Sequence, residues 1–381
     1  MSLRKAINSS VGLAAVSAIL FGSLAPAQDR SVRARTLEAQ QEPTPAPSPK
    51  AKEEEPLPSD DVVRVESNLT NIFFTAEDKH KRFISTLKQE DIRVLEDGLP
   101  QQVFTFQQNT DLPLSIAILV DTSRSEERTL PEEKSAAREF LEAVLRPNKD
   151  EAAIVSFTGE VTLEQGFTGS LERLRRAVDR VEFIPPAGYI GGGVVVQGSP
   201  GGTGTPPISG GNNQLAGSTA IWDAVWATAN ELLSDSAEHT RRAIILLTDG
   251  DDTSSQVKMH EAVERAQKAD ALVYAIGIGD RYSFGINEGA LRKITDQTGG
   301  RAYFPRNERE LREAFAQIQR DLREQYLLAY SPTNKNRDGS YRRIQIEIVN
   351  PELSKELRLN FRQGYFAKAP EAVTNPSRKR P

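Results

Sequence analysis

Residues 114–125 read Leu-Ser-Ile-Ala-Ile-Leu-Val-Asp-Thr-Ser-Arg-Ser. An apolar run closed by Asp121, Thr122 and Ser123 predicts a strand over residues 115–120 with a polar loop behind it. Three further runs repeat the pattern at 152–157, 243–248 and 271–277, and helical stretches at 132–145, 171–181, 221–233 and 258–269 lie between them. Strands alternating with amphipathic helices predict an α/β fold with a doubly wound, mostly parallel sheet, because each parallel pair needs a crossover. A last helix is marked by Asn307 as its cap, by Glu310 three residues on, and by the stripe Leu311, Phe315, Ile318 and Leu322, which reads as core packing.

Outside this region the periodicity changes to two. Val63, Val65, Leu69 and Phe73 recur at offsets that keep them on one strand face, and Ile92, Val94, Val103, Phe104 and Phe106 flank the turn-like Glu96-Asp97-Gly98, predicting a hairpin near 91–107. After Pro332, Ile344, Ile346 and Ile348 form one alternating run and Leu357, Leu359 and Phe361 another. Neither flank alone could bury an apolar face, so both are expected to build one small β-sandwich, residues 62–110 and 327–367, into which the α/β domain, 111–326, is inserted.

The ends of the chain have a different texture. Arg4 and Lys5 precede an apolar stretch over residues 11–24 and then Ala25-Pro26-Ala27, which reads as a signal peptide, 1–27, cleaved after Ala27. A retained anchor is the alternative, but Ser17, Gly22 and Ser23 interrupt the stretch and it falls short of the roughly 20 residues of a spanning helix. The expectation is export to the periplasm or the extracellular space, with no transmembrane segment in the mature chain. Residues 28–61, with Pro43, Pro45, Pro47 and Pro49 at alternate positions, read as a disordered linker, and 368–381 as a loose, basic tail. Residues 188–217 are dominated by Gly, Pro, Ser, Thr and Asn and read as a mobile insertion. No Lys-Ser or Lys-Thr pair follows these glycines, so no nucleotide is expected.

Composition excludes several functions. Cysteine is absent from the 381 residues, which removes disulfides, thiolate metal sites and cysteine nucleophiles together. The 48 basic residues are spread along the chain against 53 acidic ones, so the basic footprint of a nucleic-acid binder is missing. The 3 histidines, His80, His239 and His260, lie far apart, and there is no nucleophile elbow. No catalytic residue is assigned.

What remains is a set of oxygens at predicted strand ends. Asp121, Ser123 and Ser125 follow the first strand, Asp249-Gly250-Asp251-Asp252 follows 243–248, and Thr219 stands just before the helix expected from Ile221. In an open parallel sheet such loops converge near a switch in strand order, and hydroxyl and carboxylate oxygens are the hard ligands magnesium prefers. Ser and Asp after a strand are also ordinary helix caps and turn formers, and for Asp121 alone capping is the competing reading. Asp251 and Asp252 read as solvated loop charges.

These loops resemble the von Willebrand factor type A family, whose metal-ion-dependent adhesion site is Asp-x-Ser-x-Ser completed by a distant Thr and a distant Asp. The resemblance implies a Rossmann-like fold and a ligand set of Asp121, Ser123, Ser125, Thr219 and Asp249, with the two carboxylates acting through bound waters. It covers roughly residues 114–326. Glu126 and Glu127 do not match the adjacent second metal site of some integrin relatives. The flanking Glu96-Asp97-Gly98, Tyr326-Leu327-Leu328-Ala329-Tyr330-Ser331-Pro332 and Gly364-Tyr365-Phe366 look like the acidobacterial subfamily of exported proteins with this domain.

The implied function is capture of a protein partner through Mg2+, with Mn2+ or Ca2+ as other candidate ions. Because few ligands are charged, the ion keeps excess positive charge and an open position for a partner's Asp or Glu. A structural envelope component with a stabilising metal is the alternative, and a metal-assisted hydrolase a third.

Overall fold

A computed structural model describes residues 69–108, 111–183, 185, 218–234, 236, 240–279 and 285–367. The signal peptide, the linker, the Gly-rich insertion, Val63, Val65, His239 and the basic tail lie outside the described residues.

The first flank contributes β1 (Thr70–Glu77), β2 (Ile92–Glu96), β3 (Leu99–Gln101) and β4 (Val103–Gln108). The middle of the chain then runs β5 (Leu114–Asp121), α1 (Leu130–Val144), β6 (Glu151–Phe157), β7 (Val161–Thr168), α2 (Leu171–Arg180), α3 (Ile221–Ala227) and β8 (Arg241–Thr248). It continues through α4 (Met259–Lys268), β9 (Ala271–Gly277), α5 (Glu288–Thr298), β10 (Ala302–Tyr303) and α6 (Glu308–Arg323). The second flank supplies β11 (Tyr326–Tyr330), β12 (Tyr341–Ile348), α7 (Pro351–Glu356), β13 (Arg358–Phe361) and β14 (Gly364–Phe366).

The middle segment forms a six-stranded sheet in the order β10-β9-β8-β5-β6-β7, parallel except for the β6–β7 pair. Every residue of β5 is buried, as a central strand covered on both faces must be. Its side chains alternate between two cores: Ile116, Ile118 and Val120 pack with α1, α2 and α6, whereas Ala117 and Leu119 pack with α3, α4 and α5. The chain winds from β5 toward β7 on one side and from β8 toward β10 on the other. The switch in strand order therefore lies between β5 and β8, and a crevice opens there at their carboxyl ends.

The four predicted strands and the flanking helices are present with ends shifted by a few residues. Asn307 caps α6 by accepting from the Glu310 N–H at 3.0 Å, and Leu311, Phe315, Ile318 and Leu322 are buried. The predicted helix over 221–233 changes character midway, where α3 gives way to π-helical turns at Thr228–Leu233. The antiparallel edge strand β7, the helix α5 and the short β10 were not anticipated.

Strands from both flanks interleave in two antiparallel four-stranded sheets, β13-β1-β11-β4 and β14-β12-β2-β3. Ile72, Phe74, Val94, Tyr326, Leu328, Tyr330 and Ile344 fill the core between them. Two expectations need correction. The predicted β1 face carried Leu69 and Phe73, but Leu69 is exposed and the inward residues are Ile72, Phe74 and Ala76. The other face of β1 is covered as well: Arg301 of the α/β domain takes Thr75 Oγ1 at 2.8 Å and pairs with Glu77, so burial on both sides hid the parity. The hairpin is also shorter than expected, pairing β2 with β3 through Asp97 and Gly98, both at positive φ as a tight hairpin turn requires. Val103 and Phe106 belong to β4, which crosses to the opposite sheet beside β11.

The three flanking sequence stretches meet at one carboxylate. Glu96 Oε2 accepts from Tyr330 Oη at 2.6 Å and from Tyr365 Oη at 2.8 Å, while Arg342 Nη1 donates to Oε1 at 3.0 Å. Arg342 and Glu96 are both buried, so the pair with its tyrosines is an ionic network inside the sandwich, in which Arg342 Nε alone lacks an acceptor.

Candidate metal centre

β5 delivers Asp121 to the crevice with its carboxylate fully enclosed. Oδ1 accepts from the Ser123 N–H at 2.8 Å and Oδ2 from Thr248 Oγ1 at 2.6 Å, which fixes the side chain between β5 and β8. The chain then turns back, held by the Thr122 N–H on the Phe157 carbonyl at 2.8 Å, and makes one 3-10 turn over Arg124–Glu126. Ser123 Oγ and Ser125 Oγ lie 3.1 Å apart. Asp121 caps no helix, since α1 starts only at Leu130, but its bond to the Ser123 N–H makes it the turn former that its place after a strand also allows.

Asp249 follows β8 and is likewise buried. The Asp251 N–H donates to its Oδ1 at 2.9 Å, and the nearby Ser125 hydroxyl offsets part of the rise that burial causes in its carboxyl. Gly250 adopts φ 84°, and a Cβ there would stand 2.8 Å from the Leu291 side chain, so the turn that aims Asp249 admits only glycine without strain. Three predicted ligands, Asp121, Ser123 and Ser125, are thus joined by direct contacts, and Asp249 stands beside them with a carboxylate oxygen within 4.8 Å of one of Asp121.

Thr219 reaches the same rim through its backbone. Its N–H donates to Thr253 Oγ1 at 2.8 Å, and its carbonyl accepts from the N–H groups of Thr253 at 2.9 Å and Ser254 at 3.0 Å. The Ala220 N–H donates to the Thr158 carbonyl at 2.7 Å, so this loop is strung between the ends of β6 and β8. Asp252 corrects an expectation. It is half-buried and accepts from the Ile221 N–H at 2.8 Å and from Ser255 Oγ, serving as a remote cap for α3. Asp251 is exposed, in keeping with a solvated charge.

A third carboxylate, absent from the predicted ligand set, joins the two aspartates. Asp121, Glu126 and Asp249 are all buried, and each offers a carboxylate oxygen within 4.8 Å of those of the other two. Glu133 of α1 is buried behind them, on the stripe it shares with Leu130, Ala137 and Leu141. An acid on an apolar helical stripe was the available signal for this second layer, since a buried charge demands a partner.

Burial raises the Asp121 carboxyl to about 7 against the hydrogen bonds of Thr248 and Ser123, with the Asp249 charge adding to the shift. Burial, then the charges of Glu133 and Asp121, push Glu126 well above the usual carboxylate range. Burial likewise carries Glu133 to about 7 and raises Asp249. Enclosed acids crowded in this way repel one another, and a divalent cation among them would remove the conflict. The donors are all oxygens, the class that magnesium, manganese and calcium accept. His80 and His260 are exposed and belong to neither the three loops nor the acidic cluster.

Two family models, each described as a von Willebrand factor type A domain, match residues 116–195 and 208–317. The chain contains a von Willebrand factor type A domain. The two matches divide the domain between them, the first spanning the Asp121 loop and the second the Thr219 and Asp249 loops. Among solved structures, the chain is similar to proximal thread matrix protein 1 of the mussel byssus, at 16% identity and a TM-score of 0.42, covering 56% of this chain and 49% of that one. A form of the mussel protein described as having a zinc-occupied MIDAS motif matches at 16% identity and a TM-score of 0.40, over 56% and 49%. The protein BatB of Bacteroides thetaiotaomicron matches at 17% identity and a TM-score of 0.39, over 55% of this chain and 98% of its own. The chain spans about half the length of the mussel protein. No curated protein matches it. Among the described residues, no helix is long and apolar enough to cross a membrane.

Proposed function

We propose that the chain is an exported, metal-dependent protein-binding module. In this reading Asp121, Ser123, Ser125, Thr219 and Asp249 hold a divalent ion, with Mg2+ first and Mn2+ or Ca2+ as substitutes, and an Asp or Glu of a protein partner completes its coordination. The observation that carries the reading is the meeting of the linked Asp121, Ser123 and Ser125 with Asp249 at the strand-order switch, where the loops of a doubly wound sheet receive ligands. The bound ion would supply Lewis acidity toward a carboxylate; the chain's residues position it, Asp121 through Thr248 and Asp249 through Gly250.

Calorimetric titration of magnesium into wild type and Asp121→Ala tests the metal site, and equal heats would defeat it. Affinity capture from an envelope extract, with and without chelator and beside Asp249→Ala, tests the partner. A metal-dependent set of captured proteins that vanishes in the variant is the expected result.

The burial of Asp121, Ser123, Thr219 and Asp249 favours a second reading, an envelope component whose ion only stiffens the domain. It predicts a melting temperature that falls on chelation while the captured proteins stay the same.

A further inference from the structure

The metal-binding reading leaves Glu126 unused, although it is fully enclosed at the position immediately after the Ser125 ligand. The 3-10 turn over Arg124–Glu126 folds its side chain back beneath the loop, so that its carboxylate stands within 4.8 Å of those of Asp121 and Asp249. Oxygens bound to one magnesium, manganese or calcium ion at roughly 2.0–2.6 Å lie at most about 4–5 Å apart, so the three carboxylates can share a single centre. A second observation is independent of that spacing. Thr129 Oγ1 donates to Glu126 Oε2 at 2.7 Å, but Oε1 is buried with no hydrogen-bond partner. A buried acceptor is ordinarily satisfied, and an unsatisfied one calls for a ligand.

We propose that Glu126 is a further, direct carboxylate ligand of the divalent ion, reaching it from the buried side of the loop. The proposal rests on the metal-binding reading and refines it. A third carboxylate tightens the hold on the ion and reduces, without abolishing, the positive charge that draws an outside acid. Thr129 holds the carboxylate by Oε2 and leaves Oε1 for the ion.

The test is manganese titration of the full chain, followed by water-proton relaxation, for wild type, Glu126→Gln and Asp121→Ala. Glu126→Gln should weaken manganese binding at least about tenfold, the scale at which even indirect supports of metal ligands act. The manganese still bound should gain one exchanging water, seen as higher relaxivity. The same variant should melt no lower than wild type without metal, because it removes a repelling charge from an enclosed cluster, and this separates ligand loss from misfolding. Unchanged affinity and relaxivity in Glu126→Gln, with wild type binding normally, would overturn the proposal alone. Wild type that binds no manganese would instead overturn the metal reading beneath it.

Discussion

Asp150 shows how a single side chain can hold the end of the sheet opposite the metal centre. Its carboxylate accepts from the Leu114 N–H at 3.0 Å and from Arg146 Nη2 at 2.8 Å, and pairs with Arg323 at 2.6 Å, joining the start of β5 to the ends of α1 and α6. Burial alone would raise this carboxyl, but the hydrogen bonds from Arg146, Arg323 and the two backbone N–H groups hold it well below the usual range. With the folded value depressed, its contribution to stability is complete above the unfolded value of 3.8 and is lost as pH falls toward the folded one. Asp150→Asn should cost about 2 kcal/mol in urea denaturation at neutral pH, less than a fully enclosed pair because Arg146 is partly solvated. It should also flatten the loss of stability below pH of about 4. At this scale the sequence was legible where chemistry and spacing coincide. Asp121, Ser123 and Ser125 follow an apolar run directly, and Asp249 follows another. Glu126 and Asp252 were not legible, since an acid looks the same on paper whether it meets water, a helix end or another acid, and Glu133 showed itself only as an acid on an apolar stripe.

The rim is built from elements that secure one another. Asp252 and Ser255, on the loop after β8, receive the first N–H groups of α3, and Asp223 of α3 receives those of Gln256 and Val257 in return. This exchange sets the position of Thr219, one residue before the Ala220 that opens α3. Asp252→Ala should destabilise the domain by about 1 kcal/mol, as loss of a helix cap does, and should weaken manganese binding although Asp252 is outside the ligand set. A titration beside urea denaturation checks both; unaltered affinity would show that Thr219 holds its place without this cap. Element type was readable from periodicity because β5, β8 and β9 are unbroken apolar runs and α6 has one stripe. The face of β1 was not, because Arg301 covers the side that a two-layer sandwich would leave in water. The length of β3 escaped for a related reason: the chain crosses between sheets at Asn-free, Gly-free residues after Gln101, with no turn signal to mark it.

At the scale of the molecule, the sandwich exists only when both flanks are present, since each of its sheets takes strands from both. Glu96 is where this dependence concentrates. Glu96→Ala would leave Arg342 buried without its counter-charge and should cost about 3–5 kcal/mol, measurable as a lower melting temperature. Replacing both Glu96 and Arg342 with apolar residues should recover much of that loss. Metal should act on the other unit. Magnesium at about 100 times its dissociation constant should stabilise the α/β domain by about 2.7 kcal/mol, and Asp121→Ala should abolish the shift. The convergence of both flanks was legible from their complementary incompleteness, each having too few strands to close a core. Which strand lies beside which was not, because register is set by partners hundreds of residues away.

The insertion also has a mechanical side. The chain leaves the sandwich along β4 and returns along β11, and these strands are paired neighbours, with Gln108 opposite Tyr326. Tension applied at the metal rim is therefore divided between two adjacent covalent leads, and each lead is braced by the other before the load reaches the remaining strands. A domain hung from one terminus would have a single tether to fail.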